Sequence, residues 1–120
     1  MKRIALFSLL IVFATSCGNN QQAKKATSEV EDPKIQQGLD LITKSDCFTC
    51  HKVADRLVGP AYDSVALRYK DTPGIEDTLA HKIIKGGSGN WGAVPMLPHP
   101  NIKVEDAKLM AHYVLSLKPE

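Results

Sequence analysis

Apolar positions recur at helical spacing in four stretches after Pro33, and nowhere there do they alternate as a half-buried strand would. Ile35, Leu39 and Ile42 fall at i, i+4 and i+7 behind a proline suited to a first helical turn, which predicts a helix running towards Cys47. Tyr62, Val65, Ala66 and Tyr69 predict a second, short helix just after Pro60. Ile75, Leu79 and Ile83 predict a third, ended by Gly86 and Gly87. Ala107, Met110, Ala111, Val114 and Leu117 make the fullest stripe, with Leu109 and Tyr113 at its edges and Pro119 behind it. Between the third and fourth helices lies GGSGNWGAVPMLPHPN, whose four glycines and three prolines in 16 residues predict a loop. Loops of this length inside a small domain usually have a task. Four short helices also make a thin core, so something besides side chains is expected at the centre.

The pattern ahead of the helices is different. Residues 4–16 (IALFSLLIVFATS) are nearly all apolar and follow Lys2 and Arg3. That run is too short for a membrane span, which needs roughly 20 residues, and it predicts a signal peptide over 1–16. Residues 18–33 contain one strongly apolar side chain, Val30, and predict a flexible tether, so the organisation expected is signal 1–16, Cys17 with its tether 17–33, and a folded domain 34–118. Without the signal, Lys2 and Arg3 are lost and the chain keeps 13 basic and 13 acidic residues. A formally neutral chain has no basic field for nucleic acid, and no nucleic-acid partner is expected.

Three cysteines in an exported chain leave one over from any disulfide pair. Cys17 follows Ala14-Thr15-Ser16, small residues of the kind that precede signal cleavage. The arrangement resembles a bacterial lipoprotein signal, with Ala14 where leucine is usual. It implies that Cys17 becomes lipidated and anchors the protein to a membrane of the cell envelope or periplasm; the other reading is a free exported thiol.

The other two cysteines stand in Cys47-Phe48-Thr49-Cys50-His51. C-x-x-C-H is the attachment sequence of c-type haem: two thiols add to the vinyl groups and the adjacent imidazole becomes an iron ligand. Cysteines at i and i+3 face one side of a helical turn, which the chemistry requires. A structural zinc site would need a second close pair of ligands, and His81, His99 and His112 supply none. A thioredoxin-like redox pair would need a βαβ unit that the pattern does not contain.

Further motifs accompany this one. Gly59-Pro60 follows it, Gly86-Gly87-Ser88-Gly89-Asn90-Trp91-Gly92 leads to Pro95-Met96, and the last helix closes on Tyr113-Val114-Leu115-Ser116-Leu117. Together they resemble a small bacterial class I cytochrome c over about residues 33–118. The resemblance implies an all-α class I cytochrome c fold, about four short helices wrapped around one covalently bound haem c held by Cys47 and Cys50. It also implies that the Pro60 carbonyl accepts the second imidazole N–H of His51, and that the Trp91 N–H bonds a haem propionate; plain packing is the other reading of Trp91. Leu97 departs from the family, which has proline there, and Lys103 stands where a side-chain cap would open the last helix.

Met96 is the candidate sixth ligand. It lies in the proline-flanked loop, off any apolar stripe, whereas Met110 lies on the stripe of the last helix and is read as core. A thioether favours ferrous iron, so His51/Met96 ligation would raise the potential and keep the iron six-coordinate. His99, three residues on, is the alternative ligand and otherwise a solvated loop residue; His81 and His112 are read as surface residues. The expected function is therefore a one-electron carrier in a respiratory chain, not an enzyme, with redox proteins as partners and a monomeric state. The alternative is a haem sensor or small peroxidase-like domain with an open sixth position. An apolar edge around Phe48, Val58, Ala93 and Val94 is expected to meet the partner.

Overall fold

The computed structural model describes residues 32–118. The expected signal peptide, Cys17 and the expected tether up to residue 31 lie outside the described residues. Among the described residues there are four α-helices: α1 (Pro33–Lys44), α2 (Tyr62–Arg68), α3 (Ile75–Lys85) and α4 (Val104–Ser116). Among the described residues no helix is long and apolar enough to cross a membrane.

Each helix starts where the chain supplies a reason. The Asp32 side chain accepts from the Lys34 amide at 3.0 Å, and Pro33 opens α1 where a missing N–H costs nothing. Pro33 is thus the first residue of the helix and Asp32 its cap, whereas the expected tether runs to residue 33. α1 also ends at Lys44, short of Cys47, and a separate 3₁₀ turn covers Cys47–Thr49. Lys103 caps α4 with no side-chain hydrogen bond, as the sequence suggests.

α4 is the hub, packing against α1, α2 and α3. Its inward face carries Ala107, Met110, Ala111, Tyr113 and Val114, all buried; Tyr113 is core and not edge. Gly38 lets α1 cross it closely, since a Cβ there would run into the Leu109 carbonyl and lie 2.8 Å from Tyr113 Cβ. Ile42 and Met110 are the largest side chains buried below 2% exposure, which is a thin core for four helices.

One element departs from the expected loop. β1 (Gly87–Gly89) and β2 (Gly92–Met96) pair as a short antiparallel hairpin, with Gly87 opposite Met96 and Gly89 opposite Gly92, so the register slips between the two pairs. Most of its residues are exposed, so no face is buried to impose alternation on the sequence. Gly87, Gly89 and Gly92 all have positive φ, the feature that reads as loop from sequence.

Candidate haem site

The Cys47–Thr49 turn is closed by the amides of Cys50 and His51, which both donate to the Cys47 carbonyl at 3.2 and 3.0 Å. This winding brings Cys47 and Cys50 to one cleft, half-buried and with both thiols free. Burial, reinforced by the adjacent Asp46 carboxylate, pushes the Cys47 thiol up.

The segment 52–60 then folds back on the turn. The Gly59 amide donates to the Cys50 carbonyl at 2.8 Å, and the Tyr62 amide to the Lys52 carbonyl at 3.0 Å. Gly59 is required here because a Cβ would meet the His51 ring, 2.8 Å from both of its nitrogens. That closeness brings the Pro60 carbonyl 2.8 Å from His51 Nδ1. A carbonyl can only accept, so Nδ1 carries the proton and Nε2 keeps its lone pair for a metal. Tyr62 stacks on the imidazole at 5.1 Å between centroids and fixes its plane.

Met96 reaches the same cleft from β2. The strap after it rests on Gly86, whose φ of 65° and close approach to the Met96 carbonyl and Pro98 nitrogen (2.5 and 2.8 Å from a Cβ) exclude any larger residue. His99 is not solvated as expected. Its amide donates to the carbonyls of Ile83 and Ile84, and its ring contacts Ile83 and Asp46. Trp91 lines the cleft and packs on the core, edge-on to Tyr69.

Two arginines that sequence reasoning missed hold the hairpin tip. Arg56 Nη2 donates to the Trp91 carbonyl at 3.1 Å, and Arg68 Nη1 to the Asn90 carbonyl at 2.7 Å while its Cζ sits 4.6 Å from the Trp91 ring centroid. These contacts join residues 35 and 22 positions apart, and no local pattern announces them.

The cleft has a volume of about 280 Å³ and a mainly apolar wall that includes Ile42, Val65, Ile83 and Met110. A second, more open hollow between α2 and the end of α4 contains none of the candidate donors. Among the described residues no three His, Cys, Asp or Glu side chains converge as a zinc site would need. The donor set suits haem c: two unpaired thiols on one turn, an imidazole with Nε2 free, and a thioether facing the same apolar space.

The chain matches the cytochrome c family over residues 35–118. It belongs to that family. It is 43% identical over 83 residues to cytochrome c-551 of Azotobacter vinelandii, covering 69% of this chain and 100% of that one. Cytochrome c-552 of Hydrogenobacter thermophilus is 45% identical over 78 residues, 65% of this chain and 79% of its own. The crystal structure of Nitrosomonas europaea cytochrome c552 superposes with a TM-score of 0.64 at 42% identity, over 67% of this chain and 99% of that one. The fold is that of a class I cytochrome c, mostly helical with a small two-stranded sheet. This cytochrome c is a single-haem electron carrier, and its cofactor is one haem c, covalently attached through Cys47 and Cys50.

Proposed function

We propose that this cytochrome c shuttles single electrons between respiratory complexes from a membrane tether, with His51 and Met96 as the iron ligands. The observation that carries the ligand set is the convergence of His51 and Met96, from the turn and the hairpin, on one apolar cleft that also holds both thiols. Bound haem c supplies the one-electron iron couple; the chain supplies the rest. Pro60 and Gly59 orient the imidazole, the apolar wall excludes water, and Trp91 with Arg56 offers donors at the cleft for propionate groups. A six-coordinate site in both oxidation states needs little rearrangement, which suits electron transfer and leaves no open position for a substrate. Cys17, outside the described residues, is the proposed lipid attachment point, and 18–31 the proposed tether.

A redox titration of the purified protein followed optically tests this. One electron per haem and a ferric thioether charge-transfer band are expected. A ferric haem that binds azide readily as isolated would overturn the ligand assignment.

A further inference from the structure

His99 connects three parts of the molecule that sequence separates. Its amide donates to the carbonyls of Ile83 (3.2 Å) and Ile84 (3.1 Å), pinning the strap after Met96 to the last turn of α3. Its ring continues the link: Nδ1 lies 3.3 Å from the Ile83 carbonyl and Nε2 3.1 Å from Asp46 Oδ1. Asp46 immediately precedes Cys47 and caps the 3₁₀ turn, yet its side chain makes no capping bond and is turned to His99 instead. The ring is 21% exposed and the Asp46 carboxylate 74%, so the histidine side of the bridge is sheltered while its acidic side faces water. Both of its partners can only accept, so the ring satisfies both when each nitrogen carries a proton.

From this geometry we infer that His99 is a positioning residue for Met96, tying the strap that carries the thioether to the turn that carries Cys47 and His51. The inference rests on Met96 being the sixth ligand. Gly86 seats the strap by a steric contact alone. The His99–Asp46 bridge is a polar tie between the strap and the turn, and would resist their separation.

The test is competition by imidazole for the ferric iron, with the thioether band recorded alongside. His99→Ala removes the ring bonds and leaves the amide bonds. Asp46→Ala removes the same bridge from the other side and no cap bond with it. Each is expected to raise imidazole affinity about two- to fivefold, the effect of losing one solvent-exposed charged pair, and to weaken the band. The double variant should go little further than His99→Ala, because Asp46→Ala breaks only a bridge that His99→Ala has already broken. His99→Gln, which can still donate to Asp46, should recover part of the loss. Met96→Ala separates the two readings: if it abolishes the band while His99→Ala leaves both band and affinity at parental values, Met96 stands and the bridge falls. Full additivity of the two alanine variants would also overturn the bridge. A band that survives in Met96→Ala overturns the ligand reading itself.

Discussion

The arrangement around His51 is decided by a missing methyl group. An alanine at 59 would place its Cβ against the imidazole, and the Pro60 carbonyl could then no longer approach Nδ1. Gly59→Ala is expected to destabilise the protein by about 1–3 kcal/mol, the usual penalty for forcing atoms into filled space, and to shift the spectrum of the bound haem. Chemical denaturation checks the first effect and optical spectra the second; a variant with parental stability and spectrum would contradict the packing argument. At this scale the sequence is legible where covalent chemistry dictates spacing, as at Cys47, Cys50 and His51. It is silent where a polar side chain finds its partner through the fold. His99 meets Asp46 from 53 positions away, and His112, read as a plain surface residue, meets Asp32 from 80.

Between elements, the helices were readable because each buries one stripe, while the hairpin was not because it buries no face. His112 shows what periodicity misses. It sits on α4 with Nδ1 3.0 Å from Glu76 Oε2 on α3 and Nε2 2.9 Å from Asp32 Oδ2 at the head of α1, so one ring joins three helices. Burial lowers its basicity, but the two carboxylates outweigh that and hold its pKa above the usual histidine value. A folded pKa raised above the unfolded one gives stability that is complete below about 6.5 and is lost as pH rises through the raised value. The Asp32 carboxyl is lowered, first by the Lys34 amide and then by His112, so its share is present above the ordinary carboxylate pKa of 3.8 and lost as pH falls. The joint is therefore tightest between these limits. Melting temperature should decline from pH 6 to pH 8 in the parent and decline less in His112→Gln; equal slopes would exclude the joint as the cause. Gly38→Ala tests the α1–α4 crossing. Its Cβ meets the Leu109 carbonyl, which cannot move without moving α4, so a loss of about 1–3 kcal/mol is expected in chemical denaturation.

The described residues form a small domain with an apolar rim beside its cleft. Phe48, Val58 and Val94 are 39%, 50% and 62% exposed, and the chain without residues 1–16 is formally neutral. Docking through this rim should be transient and only weakly salt-dependent. Val94→Lys is expected to slow electron transfer to the natural partner by roughly two- to tenfold with the potential unchanged, and stopped-flow rates against salt measure this. A parental rate, or a steep salt dependence in the parent, would move the docking face elsewhere. The proposed membrane anchor is tested on the full chain. Cys17→Ser should free the processed protein from membranes with its spectrum intact, because acyl burial contributes about 0.8 kcal/mol per CH₂ and nothing else in the proposal holds the domain there. Membrane retention of that variant on fractionation would remove the lipid from the account. The potential and ferric spectrum of Met96→Ala beside the parent test the His51/Met96 ligation directly. The variant is expected to keep its covalent haem, lose the thioether band, fall in potential and admit exogenous ligands. A variant with the band and the potential of the parent would contradict that ligation.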